Sequence, residues 1–303
     1  MTWFFQQLIN GLALGYIYAL IALGYTMVYG VLRFINFAHS DVMMLGSFAA
    51  FFLAPVIAHV FPPQSYTGAV AVIVLAAAIC AALGILIELL AYRPLRNRPK
   101  LTVLITAIGV SLFIEYTCQH KGVFGAETRS FPKLFPERDF QFGGLSVNSN
   151  DIIILIVTTV LLAGLWFIVQ HTKTGTAMRA VSFNDRAAAL MGINVNRIIS
   201  FTFGLGSALA AIAGIFYAMR APGIEPLMGI QPGLRAFVAA VLGGIGNLPG
   251  AALGGLVLGL LETFAGGIPG LSNYRDGIAF AVLILILLFK PAGLLGKAQV
   301  EKV

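Results

Sequence analysis

The fold class is indicated most clearly by one long apolar stretch, Thr67-Gly-Ala-Val-Ala-Val-Ile-Val-Leu-Ala-Ala-Ala-Ile-Cys-Ala-Ala-Leu-Gly-Ile-Leu-Ile-Glu-Leu-Leu-Ala-Tyr92. Its only charged residue is Glu88, close to one end. A helix of about 20 residues crosses the roughly 30 Å of hydrocarbon in a bilayer. This stretch is long enough and apolar enough to be such a helix.

Similar apolar runs recur along the whole chain. Of its 303 residues, 59% are hydrophobic and only 10% are charged, whereas soluble domains carry roughly 25% charged residues. These values exclude a soluble globular protein and predict an all-α, polytopic transmembrane helical bundle of about eight or nine spans. The other predicted spans are Leu8–Leu32, Val42–Val60, Leu101–Gln119, Ile152–Gln170, Ile198–Met219, the Gly-rich halves Ala236–Ile245 and Gly250–Gly266, and Gly277–Phe289.

Loop charges predict how the bundle is oriented. The net charge is +7, and the loops 92–100 and 171–197 are rich in Lys and Arg, which places both in the cytoplasm. The loop 120–150 is then external, and the N-terminus is external too. Lys290, Lys297 and Lys302 favour a cytoplasmic C-terminus, which eight simple crossings would not give.

A Gly/Pro-rich helix break explains how the N-terminus can be external while the C-terminus is cytoplasmic. Gly246-Asn247-Leu-Pro249-Gly250 interrupts the apolar run, so we expect 236–266 to be a broken pair that enters and leaves on the same face. We therefore expect the whole chain, 1–303, to form a single transmembrane domain.

The segment Ser182–Ile193 contains a short helix that the bilayer does not require. Ser182 is placed to cap it with Asp185 at its third position, and Gly192 is a typical left-handed terminator with Ile193 behind it. About nine residues give roughly 14 Å, too short to span. Two interpretations stay open: a helix that lies on the membrane surface, or a docking helix for a cytoplasmic partner.

Asn36, His39, Ser40 and Asp41 form a polar break between the first two spans. Non-helical backbone at membrane depth is tolerated where it lines a cavity. The break therefore lines the translocation path or is a simple interfacial loop anchored by Arg33. Glu88, Glu115 and Glu262 lie near span ends, where structural roles are expected, although an acid in a span is a functional candidate.

The sequence predicts neither a cofactor nor a metal. We expect Cys80 and Cys118 to behave as small apolar side chains, because both fall inside apolar segments. The four histidines are scattered along the chain and do not suggest a catalytic site. The only Gly-Lys pair, Gly296-Lys297, is followed by Ala298, so there is no phosphate-binding loop of the Gly-x-x-x-x-Gly-Lys-[Ser/Thr] type. We therefore predict that the chain is not an enzyme and does not bind nucleic acid.

The chain resembles binding-protein-dependent ABC-importer permeases, specifically the branched-chain amino acid permease of the LivH type. Ala187-Ala188-x-x-x-Gly192-Ile193 resembles their coupling motif, although Arg186 stands where that motif has an acid, with Asp185 one place earlier. The stretches that also match are Tyr18–Gly30, Ile35–His39, Ala240–Gly246 and Glu301–Val303.

The resemblance implies a function and a set of partners. The chain would form half of a translocation pathway for branched-chain or related apolar amino acids in the bacterial inner (plasma) membrane. Its partners would be two cytoplasmic ATPase subunits, a second homologous permease, a periplasmic substrate-binding protein and membrane lipid. The ATPase-coupling residues would be Phe183, Asn184, Asp185, Ala187, Ala188, Leu190, Met191, Gly192 and Ile193.

Two alternatives stay open at this point. One is a permease for another small polar solute, such as an amide or a urea-like molecule. The other is a stand-alone secondary carrier, whose broken helices would fit the Gly/Pro interruptions.

Overall fold

A computed structural model of the chain describes residues 2–96, 98–270 and 272–296. Three features used in the sequence predictions lie outside these described residues: Lys297, Lys302 and the terminal stretch Glu301–Val303. The helices are α1 Thr2–Leu32, α2 His39–Ile57, α3 Tyr66–Ile87, α4 Lys100–Gln119, α5 Ser149–His171, α6 Lys173–Phe183, α7 Asp185–Leu190, α8 Val195–Arg220, α9 Ile230–Gly243, α10 Leu248–Gly267 and α11 Arg275–Phe289. A π-helical turn, Glu88–Tyr92, and a 3-10 turn, Arg93–Leu95, extend α3, and a 3-10 turn, Ser272–Tyr274, precedes α11. The strands are β1 Arg129–Ser130, β2 Asp139–Phe142, β3 Leu145–Asn148 and β4 Gly223–Ile224.

The predicted polytopic helical bundle is confirmed. Within the described residues, eight helices are long and apolar enough to cross a membrane, and the apolar helix α9 adds a shorter one of 14 residues. The predicted centres of the spans agree with these helices, but several ends move. The second span begins at His39 rather than Val42, and the sixth runs from Val195 to Arg220 rather than from Ile198 to Met219.

Helix α1 lies at the centre of the bundle. Its seven consecutive residues Ile17–Leu23 have no exposed surface, whereas α11 buries only Ala279 among its described residues. Glycines let α1 and the antiparallel helix α10 approach closely. A methyl group added to Gly15 would lie only 2.8 Å from the Cα of Leu256. Close backbone approach of this kind is how helices associate in lipid.

The bundle has two distinct ends. At the hairpin end, the antiparallel hairpin β2–β3 receives the start of α1: the Gln6 side chain donates to the Ser146 carbonyl (2.8 Å) and accepts from the Ser146 amide (2.9 Å). Strand β1 pairs with β4 just after α8. At the α7 end, helix α7 lies beside the end of α1, where Arg33 donates to the Ser182 carbonyl.

Helices α9 and α10 form an antiparallel hairpin whose turn lies at the α7 end. Gly243 packs against Gly250 across the hairpin, and the Leu295 amide donates to the Gly243 carbonyl. The described C-terminal residues therefore lie at the α7 end, opposite Thr2, which agrees with the predicted separation of the two termini.

The turn itself differs from the predicted one. It occupies 244–247, and Pro249 and Gly250 instead lie in the first turn of α10. Pro is well tolerated there because the first amides of a helix have no intrahelical acceptor. Asn247 caps α10, since its side chain accepts from the Gly250 amide at 3.2 Å.

Candidate docking and translocation sites

The short helix near residue 190 is smaller than predicted and is capped by a different residue. Asn184 adopts an extended conformation and its Oδ1 accepts from the Ala187 amide at 3.0 Å. Ser182 does not cap it, because Ser182 lies in the last turn of the preceding helix α6 and its hydroxyl donates to the Gly30 carbonyl. The predicted single helix is thus two: Phe183 is the last residue of α6, and α7 spans only 185–190.

The C-terminal end of α7 follows the expected motif. Gly192 has φ +84°, its amide donates to the Ala189 carbonyl at 3.0 Å, and the Ile193 amide donates to the Ala188 carbonyl at 3.1 Å. This pair of bonds is the Schellman motif, which needs a residue at positive φ and so favours Gly. Both ends of a helix of six residues are therefore fixed by local hydrogen bonds.

Helix α7 presents an apolar edge to solvent. Phe183, Leu190 and Met191 are 87%, 89% and 83% exposed, respectively. On the opposite side, Ala188 is buried in the same apolar cluster as Tyr92, and Ile193 packs against that cluster. Asp185 accepts from the Arg186 backbone amide at 2.8 Å. The helix is therefore anchored by its inner face and offers three large apolar side chains outward.

A fully buried carboxylate holds the base of this region together. Glu88 has no exposed side-chain surface and receives Arg93 (Nη2 to Oε2, 2.8 Å), Arg96 (Nη2 to Oε1, 2.7 Å) and the Ser200 hydroxyl (2.8 Å). Arg96 also donates to Asn196, so the cluster joins the end of α3 to the start of α8. Burial lowers the pKa of the Arg96 guanidinium, and Glu88 opposes that shift. The sequence indicates a structural role for Glu88 near the end of its span but not the partners that it finds there.

The polar break between α1 and α2 is shorter than predicted. Only residues 33–38 are non-helical, and His39, Ser40 and Asp41 form the first turn of α2. All four predicted path residues are buried in this single chain. Asn36 accepts a hydrogen bond of 2.6 Å from the Tyr92 hydroxyl, which links the break to the apolar cluster beneath α7.

The first turn of α2 carries a second set of polar contacts. The Ser111 hydroxyl donates to Asp41 at 2.5 Å, and Glu115 lies close enough to interact with the same carboxyl group. His39 packs on the Tyr25 ring with a centroid distance of 4.7 Å. The structure thus brings Asp41 and Glu115 together, a pairing that the sequence does not indicate.

A buried ion-pair cluster joins four helices on the other side of α1. Arg235 of α9 pairs with Glu262 of α10 (2.8 Å) and with Asp276 of α11 (2.7 Å). Tyr18 of α1 donates to Glu262 at 2.7 Å. The sequence indicates Glu262 as a candidate but not Arg235. The polar and helix-breaking residues around Pro232 make the first turns of α9 difficult to predict as helix.

The donor sets do not point to a bound metal. Among the residues that the structure describes, no group of three or more His, Cys, Asp or Glu side chains could hold an ion. Cys80 and Cys118 are buried and unpaired with each other. The geometry therefore offers binding surfaces and buried polar contacts rather than a reaction centre.

Eight membrane-length helices packed around buried polar contacts place this chain among polytopic helical membrane proteins. The family profile described as branched-chain amino acid transport system / permease component matches residues 7–287. This chain belongs to that family, and the resemblance inferred from the sequence is confirmed.

Relatives extend over nearly the whole chain. A high-affinity branched-chain amino acid transport system permease protein, BraD, from Pseudomonas aeruginosa is 42% identical, covering 99% of this chain and 98% of its own. The permease protein LivH of Escherichia coli is 40% identical over the same shares. A probable LivH from Methanocaldococcus jannaschii is 29% identical over 91% of this chain and 88% of its own. No solved structure matches the chain.

Proposed function

We propose that this chain is one of two permease halves of an ATP-driven importer in the bacterial inner membrane, and that its cargo is branched-chain amino acids. Family membership and two relatives at 40–42% identity support the cargo. The observation that carries the ATP-driven mechanism is the exposed apolar edge of α7, at 83–89% exposure, on a helix that is rigidly capped at both ends.

Helix α7 docks on an ATPase subunit. Three large apolar side chains, on α7 and on the residues next to it, suit a groove in a partner protein, because they lose water on docking. The chain has no phosphate-binding loop of its own, so ATP hydrolysis belongs to the partner. Movement of α7 reaches the membrane interior through Ala188 and Tyr92, and Tyr92 bonds to Asn36 at the entry to α2.

The charge distribution orients the protein. Around α7 lie Arg93, Arg96, Lys173, Arg186 and Arg197, and cytoplasmic loops are enriched in such residues. The α7 end is therefore cytoplasmic. The hairpin end is external and receives the binding protein, and the N-terminus is on that external side.

Replacing one apolar side chain tests the docking role. Leu190 is 89% exposed, so Leu190→Asp should leave folding and membrane insertion intact while it abolishes ATP-dependent uptake and co-purification of the ATPase. Leu190→Met, which keeps the apolar surface, is the matched control and should transport normally. Normal uptake by Leu190→Asp with the ATPase still bound would refute the assignment.

Uptake by the reconstituted complex tests the cargo and the energy source. Labelled leucine should enter proteoliposomes only with the binding protein and enclosed ATP, and unlabelled isoleucine or valine should compete. Competition by acetamide or urea instead would favour the small-polar-solute alternative. Uptake by the permease alone, driven by an ion gradient, would favour a secondary carrier.

A further inference from the structure

A cavity at the α7 end belongs to none of the sites described above. It lies between the end of α1, the end of α5, helix α6 and the α9–α10 turn, with a volume of about 460 Å³. A smaller inner chamber of about 80 Å³ adjoins it. Gly30, Arg179, Ser182 and Gly246 line both spaces.

The mouth of this cavity is electropositive. Arg33 and Arg179 line it together with Asn247, Leu248 and Pro249 at the start of α10, where the helix dipole is positive. No carboxylate is among its described lining residues. This combination provides a place for an anionic group such as a carboxylate.

The two arginines have different roles. Arg179 donates to the Val169 and Gln170 carbonyls and to the Gln170 side chain, and so holds the end of α5. The Arg33 side chain makes a single hydrogen bond within the described chain, to the Ser182 carbonyl at 3.1 Å. A guanidinium has five N–H donors, so Arg33 retains donors for a ligand. Its φ of +56° is unusual for a residue with a side chain.

The inner chamber is apolar with one unsatisfied polar atom. Met27, Val31, Val169, Met178 and Leu248 line it. Thr26 also lines it, is only 1% exposed, and has a hydroxyl oxygen without a hydrogen-bond partner among the described residues. A buried polar atom of this kind is costly unless something bonds to it. A ligand that reaches the chamber would supply the missing partner.

We propose that this cavity binds a free amino acid with a short aliphatic side chain on the α7 side of the membrane. The carboxylate would meet Arg33 and the start of α10, the ammonium would approach the Thr26 hydroxyl, and the aliphatic group would fill the inner chamber. The chamber's volume of about 80 Å³, equal to roughly three water molecules, suits a branched side chain and is too small for a lipid acyl chain.

The identity of this ligand rests on the proposed function, because the cavity would hold the cargo on the side where it is released. A bound amino acid would tie the end of α1 to α6 and to the α9–α10 turn. Helix α6 leads directly into α7 through Asn184, so occupancy would oppose the motion that docking drives. The consequence is inhibition of the transport cycle by accumulated product.

Ligand-induced stabilisation of the purified permease–ATPase complex, without binding protein, tests the site. L-Leucine should raise the midpoint of thermal unfolding, whereas 3-methylbutylamine, which lacks the carboxylate, should not. Arg33→Gln should weaken the leucine response at least tenfold, as expected for loss of a charge-assisted hydrogen bond of about 1.5 kcal/mol or more. Thr26→Val, nearly identical in shape, should weaken it as well.

Two controls separate this site from others. Glu225→Gln, at an exposed acid outside the cavity lining, should keep the leucine response, and Arg179→Gln should lower stability with or without leucine. In proteoliposomes, enclosed leucine should slow uptake by the wild type but not by Arg33→Gln.

The contrary outcomes are distinct. An unchanged leucine response in both Arg33→Gln and Thr26→Val would overturn the proposal. So would an Arg33-dependent stabilisation by inorganic phosphate or by phosphatidylglycerol vesicles but not by leucine, which would identify a phosphate site instead. If leucine binds as predicted yet the complete system does not import leucine, the proposed cargo fails and the cavity assignment stands.

Discussion

Glu88 shows how a single buried charge fixes the region beneath α7. Its carboxylate is wholly enclosed and is satisfied by two guanidinium groups and one hydroxyl. Such a group is stable only while all of its partners are present, since an unpaired buried charge is expensive. The two arginines are 33% and 19% exposed, so water moderates the cost of removing the carboxylate without abolishing it.

Glu88→Gln should therefore destabilise the permease by about 3 kcal/mol, the lower end of the cost of breaking a buried pair. The matched control is Glu225→Gln, an exposed acid whose one side-chain contact in the described chain is with Thr128, which should change stability by less than about 0.5 kcal/mol. Thermal unfolding in detergent measures both. Equal midpoints for the two variants would contradict the importance of the Glu88 cluster.

Tyr92 is the residue through which α7 meets the polar break. Tyr92→Phe keeps the ring in its cluster and removes the 2.6 Å bond to the Asn36 side chain, leaving a buried acceptor unsatisfied at a cost of about 1–3 kcal/mol. We expect ATP hydrolysis by the complex to persist while leucine uptake per ATP falls severalfold. Phe34→Leu, at a ring that packs on Tyr92 without a hydrogen bond, is the control. An unchanged uptake-to-hydrolysis ratio would remove Tyr92 from the coupling route.

At the scale of elements, hydropathy predicts the membrane helices well because each must hide its own backbone from lipid. The ends are less predictable, since they depend on which neighbour a polar side chain finds. Ser182 has the right spacing to cap the short helix, yet its hydroxyl donates to the Gly30 carbonyl, 152 positions away in the sequence. Asn184 caps α7 instead. Helix α9 begins before Arg235 because Glu262 and Asp276 neutralise that charge.

The crossing of α1 and α10 offers a test at the same scale. Gly15→Ala would place a methyl group 2.8 Å from the Leu256 Cα, and overpacking of this kind costs about 1–3 kcal/mol. Gly164→Ala, on α5, meets nothing within 4 Å, and should be neutral or slightly stabilising because alanine favours helix. Unfolding midpoints of the two variants should differ by several degrees, and equal midpoints would mean that this crossing tolerates a wider separation.

At the scale of the whole molecule, the sequence predicts the class of protein and the separation of the termini, but not the clusters in its interior. Tyr18 and Glu262 are 244 positions apart and meet only because α1 and α10 pack antiparallel. The C-terminal end of α7 is visible in the sequence because its Gly192 terminator is local. The cavity beside α6 is not, because it is lined by five separate segments of the chain.

The arrangement of the two ends can be tested by labelling with a membrane-impermeant maleimide. Both native cysteines are buried, and replacing each by Ala gives a background for single cysteines. Ser146→Cys in the hairpin β2–β3 should react in intact spheroplasts, because the hairpin end is external. Ala189→Cys on α7 and Ala292→Cys after α11 should react only once the membrane is opened, since both lie at the α7 end with the Leu295–Gly243 contact. Reaction of Ala292→Cys from outside, with Ala189→Cys protected, would mean that the α9–α10 pair contributes an odd number of crossings. Reaction of Ala189→Cys from outside would show that the whole orientation is the reverse of the predicted one, with α7 out of reach of a cytoplasmic ATPase.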